Sequence, residues 1–169
     1  MPRAVTADAG TACGPAEFAA ALAAEHDALG ALVSLLLEEQ EILVQGDADR
    51  LALSTPDKTA RINQLAVLGE RRNRHLASQD LACSAEGMTT WLARNPDFAA
   101  SVGRTWKELL ARAESARQIN QGNGLLIDAR MQQNRLKLAV LQMASASDGV
   151  YRPDGRLRPL RRASALLQV

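Results

Sequence analysis

The chain repeats its apolar residues at intervals of three and four over long stretches, which is the period of one face of an α-helix. The first stretch begins at Pro15, because proline suits the first turn of a helix, and ends at Gly46, a common helix terminator. Its apolar positions form a single stripe of eight residues: Phe18, Leu22, Leu29, Leu32, Val33, Leu36, Leu37 and Leu43.

The second stretch contains two helix starts. Asp47 can cap a short helix through Leu53, and Thr55 with Pro56 is typical of a second start. The pattern leaves open whether Pro56 breaks the helix or only kinks it. From Pro56 the apolar period continues to about Gln79 and leaves three arginines on the outer face. The apolar positions are Ile62, Leu65, Leu68 and Leu76, and the arginines are Arg71, Arg72 and Arg74.

A connector from Asp80 to Asn95 contains one turn of helix around Met88 to Leu92, with Trp91 expected to close the end of the bundle. The signal Asn95-Pro96-Asp97 then starts the longest helix, which runs to about Ser147. Steps of four and three indicate a heptad seam in this helix. Its positions are Val102, Trp106, Leu109, Ala113, Ala116, Asn120, Asn123 and Ile127, continued by Met131, Asn134, Leu138 and Leu141. Glycines at 122 and 124 suggest close packing or a local bend.

Composition supports a helical fold. Hydrophobic residues make up 47% of the 169 residues and aromatic residues only 3%, and Ala and Leu favour helix over strand. We therefore predict an all-α fold, an antiparallel helical bundle with long helices and a coiled-coil-like seam. The bundle is expected to span residues 15–147, between mobile tails at residues 1–14 and 148–169.

Charge and apolar runs indicate the compartment and exclude some partners. The net charge is +1, so no global field draws the chain to nucleic acid or membrane. The arginine-rich C-terminal tail can be an arm that binds nucleic acid. That interpretation is disfavoured because the arginines are interleaved with Leu and Pro and no aromatic stacking platform accompanies them. Cys13 and Cys83 are expected to be free thiols. No signal peptide is apparent, and the most apolar run, residues 28–37, is too short for stable membrane insertion. We expect a cytoplasmic protein.

No catalytic or metal-binding constellation is apparent in the sequence. His26 and His75 lie on different helices without neighbouring ligands, and Glu38, Glu39 and Glu41 lack the Glu-x-x-His repeats of carboxylate-bridged metal bundles. We interpret all of them as solvated. The protein is expected to be no enzyme and to need no cofactor or metal.

Asparagines within the apolar seam have two overlapping interpretations. Asn120, Asn123 and Asn134 can specify the register of helices within the chain, or they can mark a seam that is partly uncovered and meets a partner helix. Tyr151 also has two interpretations, since it can close the C-terminal turn or act as an exposed anchor for a partner.

Several of these segments resemble the FlgN family of bacterial flagellar export chaperones. The early match is Leu35-Leu36-Leu37-Glu38-Glu39-Gln40-Glu41, followed by Gly46-Asp47, Leu51 and Lys58. The later match comprises Asn120, the run Asn123 to Ile127, Arg130, Asn134 and Leu138 to Leu141. The turn from Tyr151 to Gly155 resembles the family's Tyr-Gly-x-x-Gly ending, with Arg152 in place of the common glycine. The resemblance covers about residues 18–155.

The resemblance implies a cytosolic chaperone for the hook–filament junction proteins (hook-associated proteins). It would bind their C-terminal segments, prevent premature assembly and deliver them to the flagellar export gate. A client helix with an apolar stripe fits a helix-in-groove mode. The expected client-binding residues are Asn123, Ile127, Met131, Asn134, Leu138 and Leu141, and Tyr151 is the candidate for docking to the export gate. The alternative is a structural coiled-coil protein that self-associates without transporting clients.

Overall fold

A computed structural model describes residues 14–147, which form four α-helices: α1 (Pro15–Gln45), α2 (Ala48–Ser78), α3 (Ala85–Arg94) and α4 (Pro96–Ser147). This part of the chain contains no strand, so the all-α prediction is confirmed. The two predicted tails and Cys13, which is expected to be a free thiol, lie outside the described residues. The chain divides after Leu126 into two compact units, and α4 contributes to both.

The turn between α1 and α2 needs only two residues. Gly46 has a left-handed backbone (φ 76°), and its N–H contacts the carbonyl oxygens of Ile42 and Leu43. The next N–H, that of Asp47, reaches back to the same Ile42 carbonyl at 3.3 Å. The Asp47 carboxylate then accepts a hydrogen bond from the Arg50 N–H at 3.0 Å and caps α2. Both boundaries agree with the sequence prediction.

Pro56 does not interrupt α2, which is one helix of 31 residues. Thr55 is consequently not a cap: its hydroxyl donates to the Leu51 carbonyl oxygen, as does that of Ser54. Proline removes the N–H that would otherwise bond to the Ala52 carbonyl. Ala52 is exposed, so water can replace that donor and the helix continues.

α1 and α2 run antiparallel in the first unit. Glu25, early in α1, pairs with Arg72, late in α2, whereas Glu39, late in α1, pairs with Lys58, early in α2. Arg72 therefore lies half-buried against α1, and its prediction on the outer face is wrong. Its guanidinium also lies 5.3 Å from the ring centre of Trp106, which gives the cation a second partner.

The part of α4 in the first unit runs parallel to α1. Arg112 donates to the His26 carbonyl oxygen at 3.1 Å, and eleven residues later Asn123 donates to the Leu36 carbonyl oxygen at 2.8 Å. The pairing advances in the same direction along both helices. The first unit is thus an up-down-up arrangement of α1, α2 and α4.

One of the two lines of the predicted α4 seam is confirmed, and the other is shifted by one residue. The buried positions are seven residues apart, and half-buried positions lie between them. The buried positions are Val102, Leu109, Ala116 and Asn123, and the half-buried ones include Phe98, Thr105, Arg112, Ile119 and Leu126. Ala113 and Asn120, predicted in the seam, are exposed because the second line of contacts lies one residue earlier in each heptad. A β-carbon added at Gly122 or Gly124 would meet no neighbouring atom within 4 Å, so close packing does not explain these two glycines.

α3 closes one end of the core. The Ser84 hydroxyl caps this helix by accepting from the Gly87 N–H, and the helix spans ten residues rather than the single turn predicted. Trp91 and Met88 are fully buried and join the core with Phe18 and Leu22 of α1. The expectation that Trp91 closes the end of the bundle is met.

α1 supplies most of the core, although its burial differs from the prediction in detail. Phe18, Leu22 and Leu36 are almost completely buried, whereas Leu37 is 46% exposed. In α2, Ile62 is likewise exposed. α1 is long and apolar enough to cross a membrane by length and composition alone, a test that core helices also pass. In this fold the buried stripe of α1 packs in the core of the first unit.

Candidate partner-binding surface

The described part of the second unit is one helical segment of α4, beginning at Ile127. Every side chain from Met131 to Ala144 is exposed, including large apolar ones. Met131 is 44% exposed, Leu138 58% and Leu141 64%. Such a density of exposed apolar side chains on one short segment is unusual for a soluble surface and typical of an interaction site.

The sequence-predicted client residues of this unit share one face. Met131, Asn134, Leu138 and Leu141 follow one another at steps of three, four and three, and all four are exposed. Ile127 precedes Met131 by four residues and is half-buried. We call Ile127, Met131, Asn134, Leu138 and Leu141 stripe B. Asn134 is exposed, so it does not specify register inside the bundle of the first unit.

Asn123 differs from the other predicted client residues. It belongs to the first unit and is only 1% exposed. Its Nδ2 donates to the Leu36 carbonyl oxygen and to Glu39 Oε2, both at 2.8 Å. The Asn123 side chain therefore lies in the interior between α4 and α1. It is not accessible to a partner, so its prediction as a client-binding residue is not retained. Of the two interpretations of the asparagines, register within the chain fits Asn123.

Glu39 forms the centre of a buried polar layer that the sequence did not reveal. It is 5% exposed, and its carboxylate accepts from Lys58 Nζ at 2.8 and 3.0 Å and from Asn123. The prediction that Glu39 is solvated is wrong. A buried carboxylate needs such donors because desolvation of an unpaired charge is costly. The layer joins α1, α2 and α4.

A second buried carboxylate lies nearer the start of α1. Glu25 is 7% exposed and pairs with Arg72. Burial raises the pKa of the Glu25 carboxyl above its usual range, and the Arg72 guanidinium acts in the opposite direction. The same guanidinium lies over the ring of Trp106. Both layers serve the packing of the first unit.

His75 is buried at the end of the core, so its prediction as a solvated residue is wrong. Its Nε2 accepts a hydrogen bond from Trp91 Nε1 at 3.0 Å, and its ring stacks on Phe18 with 4.2 Å between ring centres. Burial lowers the pKa of the imidazole. Because the Trp91 N–H can only donate, the Nε2 atom must be unprotonated. His75 is thus a neutral packing residue.

The FlgN protein family model matches residues 15–159, which is most of the chain. The chain belongs to the FlgN family. FlgN-family proteins are export chaperones of the bacterial flagellum that bind hook-associated proteins. Comparisons with curated proteins and with solved structures found no match.

Within residues 14–147, this FlgN-family chain holds no group of three or more His, Cys, Asp or Glu side chains able to bind a metal ion. Cys83 is an exposed free thiol, and its Sγ contacts the Asn73 carbonyl oxygen at 3.4 Å. His26 of α1 lies beside Glu108 of α4, with 3.3 Å between Nε2 and Oε2. The exposed segment of α4 is the feature best suited to the binding role of the FlgN family.

Tyr151, the residue expected to dock to the export gate, lies outside the described residues. The match to the FlgN family extends to residue 159 and so includes it.

Proposed function

We propose that this chain is a cytoplasmic export chaperone that binds the C-terminal helical segments of flagellar hook-associated proteins through stripe B. Binding would keep those segments from associating prematurely and would precede delivery to the type III export apparatus. The observation that carries the proposal is the uninterrupted exposure of α4 from Met131 to Ala144. Its apolar residues have no covering element among the described residues of the second unit.

Stripe B has the chemistry of a helix-binding surface. Leu138 and Leu141 present branched apolar side chains, and Met131 adds a flexible one that adapts to different partners. A client helix laid along it would bury apolar area from both partners in the helix-in-groove mode. A standard interface buries about 800 Å² per partner. Release at the export apparatus requires reversible binding, with a Kd of about nanomolar to micromolar, or about 8 to 12 kcal/mol.

Calorimetric titration tests this proposal. Purified chain is titrated with a hook-associated protein that carries or lacks its C-terminal segment. We expect binding only to the form with the segment, and we expect Leu138→Asp to weaken that binding about tenfold or more, as for a central apolar contact. Leu110→Asp is the matched control, because Leu110 is a comparably exposed leucine of α4 in the first unit. Equal affinity for both forms of the hook-associated protein would refute the binding mode.

Self-association is the competing account. If α4 instead serves a structural coiled coil, the chain will form a stable oligomer that Leu138→Asp dissociates and that hook-associated proteins leave unchanged. Sedimentation velocity with and without a hook-associated protein distinguishes the two.

We further propose that Tyr151 docks the loaded chaperone to the export gate. Its support is the family match across this position and the enrichment of tyrosine at binding hot spots. Tyr151→Ala should leave client affinity unchanged and reduce secretion of hook-associated proteins from flagellated cells. Secretion at the wild-type level would remove Tyr151 from the site.

A further inference from the structure

The second unit carries another apolar stripe that the proposed function does not use. Leu136, Val140 and Met143 follow one another at steps of four and three and are 69%, 65% and 73% exposed. We call these three residues stripe A. An open surface depression reaches from stripe A across the Lys137 side of the helix to Leu141 of stripe B, and it is lined by Gln133, Leu136, Lys137, Val140 and Leu141. The spacing is present in the sequence, but the single predicted heptad seam does not include it.

Stripes A and B lie on opposite sides of the same helix. With about 100° between successive residues, the centres of Leu136, Val140 and Met143 and of Met131, Leu138 and Leu141 are about 180° apart. A single packed helix covers an apolar face of about 100°. One client helix therefore cannot cover both stripes, and a client helix on stripe B leaves stripe A in water.

Positive charges border both stripes. Lys137 lies on the boundary between A and B on one side of the helix, and Arg135 lies on the opposite boundary. From residue 127 to residue 144 the chain has three cations, Arg130, Arg135 and Lys137, and one carboxylate, Asp128, which gives a formal charge of +2. By the same spacing Arg130 shares the boundary of Lys137, and Asp128 shares the boundary of Arg135. A helix on either stripe therefore has two cations beside one of its flanks.

This charge argues against two occupants that the chain itself could supply. A second copy would bring another segment of charge +2 against the first. The chain's own C-terminal tail, residues 148–169, contains five arginines and two aspartates, a formal side-chain charge of +3. Like charges in contact disfavour both arrangements. An amphipathic helix with Asp or Glu beside its apolar stripe is complementary to the boundary that carries Lys137 and Arg130.

We propose that stripe A binds a second helical segment of the client, bordered by carboxylates, so that two client helices enclose the end of α4. The inference rests on the proposed function, because the client that occupies stripe B supplies both segments. Binding the second segment of a chain already held requires no further loss of translational freedom, so the two contacts reinforce each other. The two segments together cover the apolar surface that one segment leaves exposed.

Site-specific crosslinking tests the arrangement in the full chain. A photoreactive phenylalanine analogue is placed at Val140 in stripe A or at Leu138 in stripe B, and each variant is irradiated with an intact hook-associated protein. We expect the two positions to capture two different client peptides, with Asp or Glu near the captured residue at position 140. Capture of the same peptide from both positions, of residues 155–169, or of a second copy at position 140 would overturn the proposal.

Affinity measurements separate this inference from the proposed function. Val140→Asp should weaken client binding about tenfold, and Lys137→Glu about threefold, with the smaller effect fading in high salt because exposed charges are screened. Lys107→Glu is the control for charge reversal, since Lys107 is an exposed cation of α4 in the first unit. All these variants should keep the thermal stability of the wild type, because the substituted side chains are exposed.

The outcomes are distinguishable. If Leu138→Asp abolishes binding while Val140→Asp and Lys137→Glu bind like the wild type, stripe A has no client and only this inference fails. If the wild type does not bind the hook-associated protein, the proposed function fails together with it.

Discussion

Asn123 of α4 donates a hydrogen bond to the carboxylate of Glu39 in α1, with 2.8 Å between Nδ2 and Oε2, and both side chains are buried. Lys58 of α2 bonds to the same carboxylate, so one buried charge joins three helices. Apolar residues alone tolerate shifts along a helix, whereas a buried polar group is satisfied in one register. We infer that this layer fixes the axial position of α4 against α1 in the first unit.

Removing the cation from this layer should destabilise the fold. In Lys58→Met the Glu39 carboxylate stays buried without its counter-charge, and we expect a loss of about 3 kcal/mol in the free energy of unfolding. Arg117→Met is the matched control, because the Arg117–Glu114 pair is exposed to water and its loss should leave the free energy of unfolding almost unchanged. Urea unfolding at pH 7 measures both. Equal losses in the two variants would show that the buried layer has no special role.

His75 should make the stability of the protein depend on pH. Burial lowers the pKa of folded His75 from the ordinary value of 6.5. At this residue the unfolded chain therefore binds a proton more readily than the folded chain. The free energy of unfolding has its full value above about pH 6.5 and declines as the pH falls below about 6.5. The free energy of unfolding falls by at most about 1.4 kcal/mol for each pH unit, until the pH reaches the pKa of His75 in the folded protein.

The matched variant for this prediction is His75→Gln, which keeps a hydrogen-bond acceptor near Trp91 but does not titrate. Thermal unfolding is followed for both proteins between pH 7.5 and 5.5. The Glu25 carboxyl, whose pKa burial raises, is present in both proteins, so the difference between the two curves reports His75. The wild type should lose stability toward pH 5.5 more steeply than the variant. Parallel curves would mean that His75 does not control the pH dependence.

Two helical glycines should respond in opposite ways to the same substitution. A β-carbon at Gly87 would lie 1.8 Å from the Ala82 carbonyl oxygen, so Gly87→Ala should destabilise the fold by about 1 to 3 kcal/mol. At Gly124 a β-carbon would meet no atom within 4 Å. Gly124→Ala should stabilise by up to about 1 kcal/mol, because alanine favours the helix. Chemical denaturation measures both, and a stabilising Gly87→Ala would contradict the close approach.

The sequence predicted the helices well because their boundaries have local causes. Gly46 with Asp47, and Pro96 at the first position of α4, act through the backbone of adjacent residues, so their effect is readable without the tertiary fold. Pro56 was ambiguous because its effect depends on whether the freed Ala52 carbonyl reaches water, which is a property of the packed structure.

Burial of polar side chains was the part that the sequence could not supply. Glu25, Glu39 and His75 look like solvated residues until partners from distant helices are in place, namely Arg72, Lys58 and Trp91. The second line of the α4 seam was predicted one residue too late for a related reason. Ala113 and Arg112 are both compatible with a helix contact. In the structure Gly30 leaves room for the Arg112 side chain to reach the His26 carbonyl oxygen, whereas Ala113 is exposed.

Hydrogen exchange in the presence of a client tests the central claim most directly. The full chain is incubated in D₂O with and without an intact hook-associated protein, and amide exchange is compared along the sequence. Client binding to α4 predicts slower exchange across residues 131–144, with the turn at residues 46–47 unchanged. Unaltered exchange across residues 131–144, together with protection elsewhere in the chain, would contradict the assignment of this segment as the client-binding surface.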